Sequence, residues 1–256
     1  MSQTVATTTE SGLEADHSGL RSLIIYPLVL IAILIGVLTW VFTADLTATE
    51  QVTLNPNDLW SMTVQHLYLT VVATVLVLVV AIPLGVLLTR PALRRFSAPI
   101  MALANIGQAA PAVGLIVLLA FWLGFGTTAA IVALVVYAIL PVLRNTMVGL
   151  DAVDSSLVEA GRGMGMSATA VLFRVELPLA VPLMLAGVRT ALVLVVGTAA
   201  LATFINGGGL GLLITTGIQL DLPRVLVTGS ILVALLALAV DWLGRLVEHM
   251  ARPRGL

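Results

Sequence analysis

The most specific spacing of polar residues in this chain lies in a segment between two long apolar stretches. Ser156 and Glu159 stand in the Ser-x-x-Glu order of a capping box, in which each side chain accepts a hydrogen bond from a backbone N–H of the other residue. Ser167 can cap a second short helix, which Leu177-Pro178 would end, because proline has no backbone N–H. Three glycines interrupt the helical pattern between these helices: Gly161, Gly163 and Gly165. We predict a helix–turn–helix elbow here; an ordinary interhelical loop is the alternative.

Two residue types that other kinds of chemistry need are absent from the sequence. The chain has no cysteine, which excludes disulfides, thiolate metal sites and cysteine nucleophiles. All twelve basic residues are arginine, so the lysine of a phosphate-binding P-loop is missing and this chain cannot hydrolyse ATP by that route. The histidines and acids are scattered, so we predict no metal site, no cofactor and no enzymatic activity. The net charge of −1 gives no reason to expect a nucleic acid as a partner.

The composition places the chain in a lipid bilayer. Of its 256 residues, 59% are hydrophobic and 10% are charged, whereas about a quarter of the residues of a soluble domain are charged. Stretches long enough to cross the hydrocarbon core, about 20 apolar residues each, recur along the sequence. We therefore predict an all-α integral membrane protein with about six transmembrane helices. They cover residues 22–42, 67–89, 100–123, 129–143, 181–204 and 225–247.

The arginines predict the orientation of these spans, since cytoplasmic connections are rich in Arg and Lys. Nine of the twelve arginines lie between spans two and three, between spans four and five, or at and beyond the end of span six. Both termini are then cytoplasmic. We expect residues 1–21 to be a disordered cytoplasmic tail and residues 249–256 to be a second cytoplasmic tail.

Ionisable residues inside spans are candidates for functional sites. Arg189 in span five and Asp241 in span six would lie at a similar, shallow depth from the cytoplasmic side. We interpret them as a structural ion pair rather than a substrate site. His66, just before span two, is interpreted as an interfacial polar residue rather than a ligand.

A polar and glycine-rich cluster follows span five on the outer side. It either turns the chain as an ordinary loop or begins a segment that dips back into the protein and forms a gate, which we favour slightly. Two tyrosines within spans could line a weak solute site, although four Trp, three Tyr and six Phe dispersed over the chain do not suggest a tight aromatic cage. The candidate pathway or gate residues are Tyr68, Tyr137, Asn206, Gly207, Gly208 and Gly209.

The elbow resembles a motif of the permease subunits of binding-protein-dependent ABC importers, E-A-A-x-x-x-G-x9-I-x-L-P. Here the first part reads Glu159-Ala160-Gly161 and, after three residues, Gly165; nine residues later comes Val175-Glu176-Leu177-Pro178. Gly161 replaces the second alanine and Val175 replaces the isoleucine. The likeness extends over residues 65–248, and several of its segments resemble the osmoprotectant permeases, which import glycine betaine, carnitine, choline or proline betaine. Among these segments are Leu140-Pro141-Val142-Leu143-Arg144-Asn145-Thr146 and Gly207-Gly208-Gly209-Leu210-Gly211.

This resemblance implies a type I ABC importer transmembrane fold over residues 63–248, with a coupling loop at 145–178 and an extra N-terminal transmembrane helix at 22–42. It implies a location in the bacterial inner membrane, a second permease copy or a paralogue, an ABC ATPase subunit that binds the ATP, and an extracytoplasmic solute-binding protein. The short helix of the elbow would lie in a groove of the ATPase. The resemblance assigns this coupling to Ser156, Glu159, Ala160, Gly161, Met164, Gly165, Leu177 and Pro178.

Other functions remain open at this point. A permease of the same fold could carry a different solute, such as an amino acid or an oxyanion. An ion-coupled secondary transporter would show interrupted helices in both halves of the sequence, and no such symmetry is visible. A membrane enzyme would need a cluster of catalytic side chains near one leaflet, which the scattered acids do not provide.

Overall fold

The computed structural model describes the backbone of residues 4–251 and the side chains of residues 24–250. The chain divides into two compact units, residues 1–44 and residues 45–256. The first unit contains the helix α1 (Thr4–Thr43), whose segment Ile24–Thr43 is long and apolar enough to cross a membrane. Residues 4–21, for which we expected a disordered tail, lie within α1. A helix that is already nucleated in an apolar span gains one hydrogen bond for each residue added, so extension is easier than a new start.

The second unit is helical throughout its described part. Its α-helices are α2 (Ala48–Thr53), α3 (Pro56–Thr89), α4 (Ser97–Ala109), α5 (Ala112–Leu123), α6 (Thr127–Asp151), α7 (Ser155–Gly163), α8 (Ala168–Val171), α9 (Leu177–Ala199), α10 (Gly211–Gln219) and α11 (Pro223–Ala251). A π-helix, Leu172–Glu176, joins α8 to α9. Two 3₁₀ helices, Arg94–Phe96 and Ala200–Ile205, precede α4 and follow α9.

Five helical segments in the described residues are long and apolar enough to cross a membrane, and a bent pair of helices raises the number to six. This agrees with the predicted all-α membrane protein of about six spans. The third predicted span, residues 100–123, is not a single helix. Its two halves, α4 and α5, meet at an angle of 102°.

Pro111 causes this break. It has no N–H to continue the hydrogen-bond ladder, and its ring forces the preceding residue out of the helical region. Ala110 accordingly has an extended backbone, with φ −62° and ψ 141°. A short connection separates this span from the next, as the predicted bounds 100–123 and 129–143 require, and Gly124 and Gly126 both have positive φ there, 87° and 128°.

The predicted boundaries around the elbow are displaced. Helix α6 continues to Asp151, so the first residues of the predicted loop 145–178 belong to a span. At the other end, Leu177-Pro178 does not end a helix, because helical structure runs without a gap from Ala168 to Ile205. Pro178 lies in the first turn of α9, where its missing N–H has no helical acceptor to lose.

Helices α3, α6 and α9 pack closely through small side chains. Ala73, Ala81, Ala133, Ala138 and Ala199 are all buried in one core cluster. Small residues allow backbones to approach, which is how helices associate in a membrane. A Cβ on Gly187 of α9 would lie 2.5 Å from Cβ of Asn145 on α6, and one on Gly85 of α3 would lie 2.8 Å from Cβ of Thr146. These glycines therefore let α3 and α9 approach α6 closely.

Candidate functional site

The first candidate site is the elbow, residues 154–176. Its first helix, α7, is capped by Asp154, whose carboxylate accepts a hydrogen bond from the Ser156 N–H at 2.8 Å. The predicted capping box of Ser156 and Glu159 is therefore wrong: the carboxylate two residues earlier takes the cap, and both residues lie inside the helix. The hydrogen bond from the Ser156 N–H holds the pKa of Asp154 below its usual value.

The turn of the elbow is built from local contacts. Gly165 has φ +86°, and its N–H donates to the Arg162 carbonyl at 2.9 Å. The next N–H, of Met166, donates to the Gly161 carbonyl at 3.1 Å. Ser167 then caps α8, as predicted, by accepting from the Ala170 N–H at 3.2 Å. Such a glycine turn is a common way to end a helix.

The structure divides the predicted coupling residues into two groups. Ser156, Glu159, Ala160, Met164 and Gly165 are exposed on α7 and its turn. Gly161 is buried, with its Cα facing Val171 and Val175, so a Cβ there would be 3.4 Å and 3.8 Å from their methyl groups. Leu177 is partly buried and Pro178 is exposed, but both lie in the first turn of α9, outside α7 and its turn. The elbow thus presents one short helix on a base formed by α8 and the π-helix.

The second candidate site, the glycine junction, consists of Gln65, His66, Val196 and Gly207–Leu210. The His66 side chain is fully buried, so the prediction of an interfacial residue is wrong. Its Nε2 lies 2.9 Å from the Val196 carbonyl oxygen, and its Nδ1 accepts from the Leu210 N–H at 3.3 Å. A carbonyl can only accept and an amide N–H can only donate. These partners therefore require a neutral imidazole with its proton on Nε2.

The glycines of the junction make room for this histidine and its neighbour. Gly208 and Gly209 have φ +83° and +92°, and the Gly209 N–H donates to the Gln65 Oε1 at 3.2 Å. A Cβ on Gly209 would lie 3.1 Å from His66 Nδ1. Gly207 is packed as tightly, since a Cβ there would lie 2.9 Å from Cβ of Ala202. Asn206, with φ +59°, ends the 3₁₀ helix before them.

Beyond the junction the chain packs back on the protein. Helix α10 has Gly211, Leu213 and Gly217 buried, and a Cβ on Gly217 would lie 2.5 Å from the backbone nitrogen of Leu226 in α11. The cluster is thus more than a chain reversal. Its place relative to a membrane stays a prediction, as does its role as a gate.

The two candidate tyrosines do not share a surface. Tyr137 lines a narrow apolar cleft with Leu115, Ile116 and Thr198. Tyr68 is 55% exposed on α3 and does not line that cleft. The structure therefore brings together no aromatic pair from these two residues.

Arg189 and Asp241 lie close together, Arg189 near the middle of α9 and Asp241 in α11. The Arg189 Nε is 3.5 Å from an Asp241 carboxylate oxygen. A closer partner, which we did not predict, is Glu248, 2.9 Å from Arg189 Nη1; Arg245 adds a bond of 2.8 Å to Asp241. Glu248 follows Asp241 by two helical turns on the same face of α11, which is the signal in the sequence that would have identified it.

Comparisons with known proteins agree with this architecture. Residues 81–252 match the family described as binding-protein-dependent transport system inner membrane component. The glycine betaine/carnitine/choline transport system permease protein OpuCB of Bacillus subtilis (strain 168) is 39% identical over 79% of this chain and 92% of the relative. The osmoprotectant import permease protein OsmW of Salmonella typhimurium is 37% identical over 79% of this chain and 95% of the relative.

A solved structure shows the same fold. A chain of the MetNI methionine ABC transporter, in an inward-facing conformation, matches with a TM-score of 0.67 at 26% identity, over 77% of this chain and 97% of that chain. The predicted type I ABC importer transmembrane fold is confirmed by this likeness.

Proposed function

The chain belongs to the family of binding-protein-dependent transport system inner membrane components, and from this membership we propose its function. It is the permease subunit of an ATP-driven importer for quaternary-ammonium osmoprotectants: glycine betaine, choline, carnitine or proline betaine. The observation that carries the proposal is the 39% identity to a permease named for glycine betaine, carnitine and choline transport, over 92% of that permease's length.

Membership of this family implies a membrane, an ATPase and a binding protein. The protein is a multi-pass protein of the bacterial inner membrane, and its family is not itself catalytic. We further propose that two permease subunits, either two copies of this chain or this chain and a paralogue, form the pathway between them. We also propose that ATP binds only to the partner ATPase.

The elbow supports a role in coupling to that ATPase. Helix α7 and its C-cap expose two apolar side chains seven positions apart, Leu157 and Met164, which are 47% and 73% exposed, and a carboxylate, Glu159. A short exposed helix with apolar side chains on one face suits insertion into a groove of a partner protein. We propose that Glu159 contacts the ATPase and has no capping role.

The orientation that we propose has the elbow and both termini in the cytoplasm. The absence of cysteine makes this directly testable with single cysteines and a maleimide that cannot cross membranes. Trp60→Cys, 71% exposed near the start of α3, should react in intact cells, whereas Leu157→Cys should react only after the cells are opened. The reverse pattern would overturn the orientation.

Reconstitution tests the function itself. The permease, its ATPase and its binding protein would be incorporated in liposomes, and ATP-dependent uptake of choline, glycine betaine and carnitine would be compared. We expect uptake with ATP and none with an ion gradient alone. Uptake driven by the gradient without ATP would support a secondary transporter instead.

Methionine is the natural second solute to include, because the matching solved structure is of a methionine transporter. Its 26% identity is lower than that of the osmoprotectant relatives, so we place amino acids second. Uptake of methionine but of no quaternary amine would reverse this order.

Glu159→Lys tests the coupling contact. We expect normal membrane insertion, loss of co-purification with the ATPase, and loss of uptake. Ser156→Ala, which changes a neighbouring exposed residue without changing charge, is the matched control. Normal uptake by Glu159→Lys would contradict the assignment.

We propose that solute selection occurs mainly in the binding protein, since the thirteen aromatic residues are dispersed along the sequence. The complex without its binding protein should bind choline or betaine weakly in calorimetric titration. Micromolar binding would place the cage in this chain.

A further inference from the structure

Helix α3 ends beside the elbow at a half-buried ion pair. Arg90, the residue that ends α3, bonds through Nη2 to the carboxylate of Glu176, the last residue of the π-helix. The Glu176 side chain is only 9% exposed and that of Arg90 is 31% exposed. The Arg90 Nε also donates to the Val86 carbonyl at 3.3 Å, so the guanidinium is held by its own helix and directed at Glu176.

The turn that carries Glu176 is also the base on which α7 rests. Val175, the preceding residue, faces Gly161 of α7 together with Val171. The π-helical turn has one more residue than an α-helical turn, and its end is marked by the hydrogen bond from the Leu177 N–H to the Leu172 carbonyl. Such turns are frequent at functional sites. Val175 therefore contacts the coupling helix while its neighbour Glu176 contacts α3.

In its first half, α3 is joined to the end of α9 and to the segment that follows it. Gln65 and His66 bind the backbone N–H groups of Gly209 and Leu210, and His66 also bonds to the carbonyl of Val196. Two sets of polar contacts therefore join α3 to the continuous helix that contains α9, in addition to the packed core. One is the Arg90–Glu176 ion pair near the elbow, and the other is the glycine junction.

We propose that Arg90 and Glu176 are positioning residues that fasten α3 to the elbow, so that α3 and α9 move as one body when the ATPase moves α7. The glycine junction, which α3 and α9 hold together, then changes its surroundings with the state of the ATPase. Without the ion pair, α7 would still move the start of α9, but less of that movement would reach the end of α3. This inference rests on the proposed coupling function and extends it to two residues outside the exposed helix.

The chain provides a matched control for the ion pair. Arg94 lies in the 3₁₀ helix that follows α3, and Asp151 is the last residue of α6. Their charged groups are 3.6 Å apart, but the side chains are 65% and 46% exposed. Exposed ion pairs contribute little, whereas removal of one partner from a buried pair leaves an uncompensated charge. Asp151→Asn should therefore leave the coupling of transport to ATP hydrolysis unchanged, whereas Glu176→Gln should weaken it.

The first measurement is the amount of solute transported per ATP hydrolysed by the reconstituted complex. We expect Glu176→Gln and Arg90→Gln to lower this ratio roughly two- to thirtyfold, with ATP hydrolysis largely retained. The double variant should be no worse than either single variant. An unchanged ratio, or a parallel loss of transport and hydrolysis, would overturn the proposal. If Glu176→Gln does not fold, Glu176→Asp keeps the charge but shortens its reach, and the same fall is expected.

The second measurement does not require a known solute. Leu212, just after the junction, is 45% exposed, and Leu212→Cys would give the permease a single cysteine. The rate at which a maleimide labels this cysteine in the assembled complex would be compared with and without vanadate trapping of the ATPase. We expect the labelling rate to change in the parent and in Asp151→Asn, and not in Glu176→Gln. An equal change in all three would overturn the inference. Failure of the parent to transport any quaternary amine, with labelling as expected, would instead overturn the proposed solute.

Discussion

The elbow and the glycine junction are both built around glycines with positive φ, but they are held together differently. In the elbow, Asp154 caps its own helix, and Gly165 bonds to a residue three positions earlier. In the junction, His66 bonds to Val196 and Leu210, which are 130 and 144 positions away. The elbow is a local structure resting on the bundle, whereas the junction exists only when α3 and α9 are already packed.

This difference explains why the two regions suit different roles. A locally stabilised helix can keep its shape while it moves with a partner protein, because few of its bonds cross to other elements. A junction made of long-range bonds changes when the helices that supply them change position. Each variant below affects one region in a way that the other would not reproduce.

The largest effect is expected from His66→Ala. It removes the partners of a buried N–H and a buried carbonyl together, each costing about 1–3 kcal/mol when unsatisfied. We expect a clear loss of thermal stability and of uptake in the purified protein. Gln65→Ala, which removes one hydrogen bond to the junction and one to Ser61 from an exposed side chain, is the control and should be much milder. Equal effects would mean that burial of His66 is not what holds the junction.

Gly209→Ala and Gly165→Ala compare the two regions with the same substitution. Both positions have a positive φ, which costs about 1–2 kcal/mol for a residue with a Cβ. At Gly209 the new methyl also meets His66 Nδ1 at 3.1 Å, while at Gly165 it meets nothing within 4 Å. Thermal unfolding should therefore show a larger loss for Gly209→Ala. The opposite order would contradict the tight packing of the junction.

Asp154→Ala against Ser156→Ala tests which residue caps the elbow. We expect Asp154→Ala to weaken ATPase binding modestly, because α7 frays, and Ser156→Ala to leave it unchanged. The pKa of Asp154 is lowered in the folded protein, so its contribution is complete above the unfolded pKa and is lost as the pH falls through the folded pKa. The difference between the two variants should thus be constant near neutral pH and disappear in strong acid. ATPase affinity measured over pH would reveal it.

Gly161→Ala should have the smallest effect, and a favourable one. A Cβ there meets the methyl groups of Val171 and Val175 at 3.4 Å and 3.8 Å, which is ordinary contact. Alanine in place of glycine stabilises a helix by up to about 1 kcal/mol. We expect a slightly raised unfolding temperature and unchanged uptake. A marked loss would show that α7 rests more tightly on its base than these distances indicate.

The fold could be predicted from the sequence to the extent that its causes are local. Apolar stretches located the spans, and the short connection between two of them contains Gly124 and Gly126. The bend between α4 and α5 was missed although Pro111 is visible in the sequence, because a proline within a long apolar stretch can also be accommodated in a continuous helix. Pro83 and Pro141 are two such cases, since α3 and α6 continue through them.

The candidate sites show the same limit. The elbow was located by its motif, but the capping box was placed at the wrong residues. A true capping box is formed by Thr47 and Glu50 at the start of α2, where the sequence has the same three-residue spacing. His66 and Glu176 could not have been identified, because nothing in a linear sequence relates them to Leu210 or Arg90. These residues come close to their partners only when α3 packs against α9.

The bend at Ala110–Pro111 also has a consequence for how the backbone is hydrogen-bonded. Helices α4 and α5 have 13 and 12 residues, so each spans about 18–20 Å at about 1.5 Å per residue, less than the hydrocarbon thickness of about 30 Å. The break would then lie at bilayer depth, where Pro111 leaves a carbonyl near the end of α4 without its usual donor. Lipid cannot supply one, and only protein or trapped water can. The carbonyl freed at Pro111 can therefore be satisfied only by another part of the protein, by a partner subunit, or by water held at that depth.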